Sequence, residues 1–211
     1  MEHVSIGAPK LVFLVLLCAS GACLAAGGPF GIDHRLSGNN PGIFNRGNQN
    51  ILQYSVIGIE AADALWEGGE TRVGKTFWQS VDSAVLAAGT TEVMKVAFGR
   101  QRPSQTDNPN QFFAGGRSFP SGEVANISSI VTPFVLEYRH DMPWVYGLEL
   151  LPIYDAIARV KVRGHWQSDV LVGFGIGTLT GYYAHSREQP LILNVLPHGF
   201  TIGIHRSFNL L

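Results

Sequence analysis

Five stretches with apolar residues at helical spacing, set apart by glycine and proline breakers, dictate how this 211-residue chain can fold. Ile51 to Trp66 runs up to Gly68-Gly69. Thr76 to Phe98 stops at Gly99. Gly122 to Tyr138 carries Pro133 as a kink point, and Pro143 to Val160 carries Pro152 as a bend. Trp166 to His185 is the fifth. The length suits one domain with a sizeable core. Between Gly99 and Pro120 lies a polar loop with Pro103, Pro109, Gly115 and Gly116. Residues 26–50, rich in Gly, Asn and Pro, read as an N-terminal arm on the surface. In the tail, 188–211, Leu191 to Val195 and Gly199 to Phe208 read as short strands around Pro197-His198-Gly199. They form a hairpin or an extended tail.

The first 25 residues have the layout of an export signal. Lys10 precedes the apolar run Leu11 to Leu17, and small residues follow from Ala19 to Ala26. The segment is cleaved after Ala25 or retained as an anchor. Both cysteines, Cys18 and Cys23, lie inside it, so the mature domain has neither a disulfide nor thiolate chemistry. Beyond the signal, Glu60, Asp63, Asp82, Glu92, Glu149 and Asp155 interrupt the long apolar windows. Multiple membrane spans rarely carry scattered carboxylates, so the expectation is a soluble or peripheral domain. Gly173, Gly177 and Gly181 recur every fourth residue, a stripe for close helix packing in either setting. Formal net charge is −1, which supplies no global field toward nucleic acid. Anion binding has to come from a local cluster.

Three blocks offer such a cluster. In the first, Lys95 stands near a helix end and Arg102-Pro103 follows the break at Gly99. An ammonium and a forked guanidinium suit a tetrahedral oxyanion, although basic residues near a helix C-terminus also simply complement its dipole. In the second, Ser121 and Gly122 open a helical stretch. A hydroxyl, a closely approaching backbone amide and a helix N-terminus can all meet an anion, and the same residues make an ordinary N-cap. In the third, Arg159 precedes His165 and Asp169, which lie four residues apart on one helical face. A carboxylate can fix an imidazole tautomer and raise its basicity, which serves a nucleophile or base; a surface ion pair looks the same in isolation.

Together the blocks are far more specific than any one of them. Lys95, six residues, Arg102-Pro103; Pro120-Ser121-Gly122; and Arg159, five residues, His165, three residues, Asp169 resemble the phosphatidic acid phosphatase type 2 superfamily. That group includes bacterial acid phosphatases, lipid phosphate phosphatases and vanadium-dependent haloperoxidases. The resemblance spans roughly residues 51–187. It implies an all-α bundle and a phosphatase, with a bacterial periplasmic or envelope location. It also implies roles: His165 attacks phosphorus, Asp169 orients His165, and Lys95, Arg102, Arg159, Ser121 and Gly122 hold the phosphoryl oxygens. The substrate is then a phosphorylated small molecule or a lipid-linked phosphate. No nucleic acid partner, metal or cofactor is expected, and peripheral membrane contact fits the lipid branch.

Two positions depart from the family pattern. Ala158 stands where a serine is usual, and Glu123 stands where the pattern has the histidine that serves as general acid. A carboxylic acid can do that work if its pKa is raised. A bound phosphate dianion would raise it, whereas three cations and a helix N-terminus would lower it. The expectation is that Glu123 is the acid, with activity best at mildly acidic pH. Two alternatives share the same oxyanion pocket: a vanadate-dependent haloperoxidase, with vanadate as cofactor, and a non-catalytic phosphate or phospholipid binder. Arg100, Arg117 and Arg163 flank the blocks and read as solvated surface arginines.

Overall fold

A computed structural model describes residues 27–38 and 42–187, and the backbone of Leu193–Leu196 and Gly199–Ile202. The expected export segment 1–25, with its two cysteines, and most of the expected tail lie outside the described residues. The helices are α1 (Arg46–Glu67), α2 (Arg72–Phe98), α3 (Gly122–Tyr138), α4 (Leu150–Lys161) and α5 (Gln167–His185). The body is all-α. In the tail, Leu193–Leu196 pairs antiparallel with Gly199–Ile202. A lone two-stranded ladder is marginal in water, so the fold assignment rests on the helices.

Capping explains where the helices begin and end. α1 starts before the expected Ile51 because the Asn45 side chain caps it, accepting the Asn48 amide at 3.0 Å. α2 starts at Arg72, ahead of the expected Thr76, because the Thr71 hydroxyl accepts the Gly74 amide at 2.9 Å. α2 stops at Gly99, whose φ of 50° is left-handed, and whose N–H closes back on the Lys95 carbonyl. The stretch expected as one helix from Pro143 is two elements. A 3-10 turn, Pro143–Glu149, leads into α4. Pro152 is the third residue of α4, where a helix N–H has no intrahelical partner, so the proline fits there.

α3 is the centre of the body. Its Val124 packs with Ala156 and Val160 of α4 and with Val170 and Phe174 of α5. Its Ile127, Val131 and Val135 form a second buried cluster, reached by Leu52 of α1 and Leu151 of α4. The glycine stripe of α5 faces α3 at backbone contact. A Cβ on Gly173 would lie 2.4 Å from the Ser121 carbonyl oxygen, and one on Gly177 would lie 2.2 Å from that of Ala125. The stripe therefore joins α3 to α5 and brings Ser121 beside the start of α5, where the Ser121 amide donates to the Asp169 carbonyl at 3.0 Å. No described helix is long and apolar enough to cross a membrane.

The stripe yields a stability test within one helix. Gly177→Val drives a side chain into the α3 backbone, which cannot yield, and should cost about 1–3 kcal/mol or more in urea unfolding. Gly175→Ala, with nothing within 4 Å of the added Cβ, should instead be neutral or stabilise by up to about 1 kcal/mol.

Candidate active site

The three blocks meet at one cavity of about 320 Å³, lined among others by Lys95, Arg102, Gly122, Glu123, Arg159 and His165. Lys95 comes from the last turn of α2 and is 8% exposed. Its ammonium lies against the start of α3: a Cβ on Gly122 would sit 2.7 Å from Nζ, so glycine is what lets the cation reach this helix N-terminus. Ser121 occupies the N-cap position of α3 without capping through its side chain, and its buried hydroxyl has no protein partner. The ordinary capping explanation of this serine therefore does not apply to its hydroxyl. Arg159, near the end of α4, is buried; its Nη1 donates to Gln49 Oε1 at 3.2 Å, and its Nε has no partner. Gly164 makes room for it, since a Cβ there would lie 2.9 Å from Arg159 Nη2. Burial lowers the pKa of Lys95, Arg102 and Arg159 alike. Cations stripped of part of their water hold an oxyanion more strongly.

His165 is held by a backbone group. Its Nδ1 lies 2.6 Å from the Ser118 carbonyl oxygen, which can only accept, so Nδ1 carries the proton. Nε2 keeps its lone pair. Complete burial lowers the imidazole pKa to about 4, against the pull of Asp169 and with the help of Arg159 and Arg102. The ring is thus neutral and nucleophilic at ordinary pH.

Asp169 does not orient His165 by a direct hydrogen bond, as the sequence suggested; its Oδ2 is 3.7 Å from Nδ1. It acts one step removed. Asp169 accepts the Ser118 hydroxyl, and the Trp166 amide at 2.9 Å, so it fixes the residue whose carbonyl holds the imidazole. Burial pushes the Asp169 carboxyl up, but His165, Arg100 and the Ser118 hydroxyl together keep it below the ordinary value.

Arg100, expected on the surface, has no exposure at all. It bridges Asp169 Oδ1 at 2.5 Å and Asp33 Oδ2 at 2.6 Å, and it also donates to Ser168 Oγ and the Pro109 carbonyl. Asp33 is equally buried and accepts the Ser168 amide at 2.7 Å, capping α5 from a distant segment. The N-terminal arm is therefore built into the site's foundation. Arg163 donates to the Leu36 carbonyl of the same arm at 2.7 Å. Arg117 stays largely exposed and pairs with Glu92.

Glu123 differs from the expectation of a raised acid. Arg46, which the sequence reading passed over, grips both its oxygens at 2.6 and 2.7 Å, and Arg159 lies 3.3 Å away. Burial pushes the carboxyl up, but the Arg46 bonds and the charges of Arg159 and Arg46 outweigh it and hold the pKa below the ordinary value. Nearby Asp155, fully buried and with neither oxygen hydrogen-bonded, is pushed up to about 7 by burial and by Glu123. Among the described residues, no group of three or more His, Cys, Asp or Glu is placed to hold a metal ion.

Removing Arg100 would leave Asp33 and Asp169 as uncompensated buried charges. Arg100→Met should therefore destabilise by about 3–5 kcal/mol in urea unfolding. Arg100→Lys, which lacks the fork, should recover only part of that loss.

The sequence model of the PAP2 superfamily matches residues 77–191, just over half of the chain. A curated relative, the protein named lipid A 1-phosphatase of Porphyromonas gingivalis, is 32% identical over 118 residues. That alignment takes in 55% of this chain and 24% of the relative, so it covers about a quarter of the relative's length. No solved structure matches. The matched residues 77–191 enclose Lys95, Arg102, Ser121, Gly122, Arg159, His165 and Asp169, and the chain belongs to the PAP2 superfamily.

Proposed function

We propose that this chain is a phosphatase, hydrolysing a phosphate monoester or a lipid-linked phosphate through a phosphohistidine formed on His165. The observation that carries the reading is a neutral imidazole with Nδ1 anchored and Nε2 unengaged, in the wall of a cavity that also presents Lys95, Arg102 and Arg159. Kinship with the PAP2 superfamily and with a protein named for phosphatase activity supports it. With the export signal expected at residues 1–25, the activity belongs to the envelope side of the cell.

Phosphoryl transfer asks for position and charge stabilisation more than for covalent help from the protein. Lys95, Arg102 and Arg159 take the phosphoryl oxygens, aided by the Ser121 hydroxyl and the amides opening α3. Nε2 attacks phosphorus, and the electron pair of the P–O bond leaves with the departing oxygen. Positive charge on the imidazole is met by the Ser118 carbonyl at Nδ1 and by Asp169 behind it. In the second half, water attacks phosphorus and the P–N electron pair returns to Nε2. Both water protons leave with the product as dihydrogen phosphate.

A second reading, a phosphate binder without turnover, draws on the Arg46–Glu123 pair, which leaves Glu123 without a proton to give. The two separate on one assay. In a panel of soluble and lipid phosphates, the phosphatase reading expects turnover that His165→Ala abolishes and that Arg159→Met lowers by roughly 10²–10³-fold. Phosphate binding with no turnover in the native protein would favour the binder.

The histidine also makes a pH prediction. Its folded pKa is depressed, so the nucleophile is lost only as pH falls through about 4. In a proton NMR titration the His165 imidazole should keep its neutral shift from about pH 8 to about pH 5; titration near the unperturbed value of about 6.5 would contradict this geometry.

A further inference from the structure

A phosphoryl-transfer site needs a proton donor when its leaving group is a strong base. Besides the guanidinium groups of Arg102 and Arg159, the titratable side chains lining this cavity are Glu92, Lys95, Glu123 and His165. Each is already committed. Glu92 pairs with Arg117, and its other oxygen lies 4.0 Å from Lys95. Glu123 is clamped through both oxygens by Arg46, with Arg159 beside it. His165 is the nucleophile, its one proton facing the Ser118 carbonyl. Lys95, buried against Gly122, is held where the phosphoryl oxygens bind. The two carboxylates that line the cavity are thus each paired with an arginine, and the nearby Asp155 carboxyl is fully buried off the lining.

We propose that the Arg46–Glu123 pair makes this site selective for phosphoryl groups carried on an acidic leaving oxygen, above all the phosphoanhydride of a diphosphate, and poor with alkyl monoesters. The inference rests on the phosphatase reading above and narrows its substrate class. When Nε2 bonds to phosphorus, the P–O pair stays on the bridging oxygen. In an alkyl ester that oxygen departs as an alkoxide and requires a proton in the same step. In an anhydride it departs as a phosphate, which spreads the charge over its own oxygens and requires none. Arg46, about half exposed beside the cavity-lining Glu123, offsets that carboxylate's repulsion of the departing anion. A free carboxyl could serve an alkoxide, but bidentate pairing with a guanidinium keeps Glu123 an acceptor only.

Arg46 and Glu123 are thus specificity-determining, and leaving-group dependence reads them out. The purified full chain is assayed with inorganic pyrophosphate, substituted phenyl phosphates of graded leaving-group acidity, and hexyl phosphate. The expected result is a steep fall in kcat/KM with leaving-group basicity, hexyl phosphate lying roughly 10²-fold or more below pyrophosphate, the usual worth of a general acid. Glu123→Gln should leave the steepness unchanged, because neither side chain donates a proton to the leaving oxygen in the native pairing. Glu123→His should flatten it by improving hexyl phosphate. Arg46→Ala should raise hexyl phosphate turnover at acidic pH, where the released Glu123 can take up a proton, and lower pyrophosphate turnover.

A shallow dependence in the native protein, or a steeper one in Glu123→Gln, would overturn the inference while leaving the phosphatase reading intact. No hydrolysis of any compound, with no phosphoryl label on the protein, would overturn both.

Discussion

Arg100 is the interaction on which the rest of the site depends. One fully buried guanidinium ties Asp33 of the N-terminal arm to Asp169 at the start of α5, and takes in Ser168 and the Pro109 carbonyl as well. Such a cluster is expensive to desolvate and persists only when all its donors and acceptors are matched. Here the matching is close to complete, and each partner does a second task. Asp33 caps α5, and Asp169 fixes Ser118 and the Trp166 amide. Ser118 in turn presents the carbonyl that sets the tautomer of His165. A structural ion cluster thereby determines which nitrogen of the imidazole is free for chemistry.

The cationic half of the site has a different physical basis. Lys95, Arg102 and Arg159 come from three separate segments, and glycine at the approaches of Lys95 and Arg159 permits their convergence. Gly122 admits the Lys95 ammonium, Gly164 admits the Arg159 guanidinium, and Gly173 and Gly177 let α5 lie against α3. The buried cluster sets one guanidinium against two carboxylates with its hydrogen bonds matched, whereas the cradle concentrates partly desolvated positive charge. Glu123 is the exception. It is an internal carboxylate facing the cradle, and Arg46 offsets it from the rim.

Much of this was legible in the sequence, for identifiable reasons. Helical periodicity and breakers located the helices, and Gly99 and Tyr138 closed α2 and α3 where expected. The starts of α1 and α2 were missed because Asn45 and Thr71 cap them from stretches that lack an apolar period. Fixed spacing singled out Lys95, Arg102, Ser121, Gly122, Arg159 and His165 as one group, and the fold brings all but Ser121 into the lining of one cavity. Arg100 and Asp33 were not legible as a pair. They are separated by 67 residues, and charge and turn composition mark both as surface. Arg46 escaped for the same reason, 77 residues from Glu123. Spacing along the chain reports chemistry within a segment; ion pairs between distant segments become visible only in three dimensions.

In the proposed reaction the Ser118 carbonyl holds the proton on Nδ1 and leaves Nε2 of His165 as the attacking atom. The most direct measurement is phosphorus NMR of the acid-sensitive phosphoprotein trapped during turnover, which distinguishes the two ring positions of phosphohistidine. Phosphorus on Nε2 of His165 is the expected result. Phosphorus on Nδ1, or on any other residue, would contradict it.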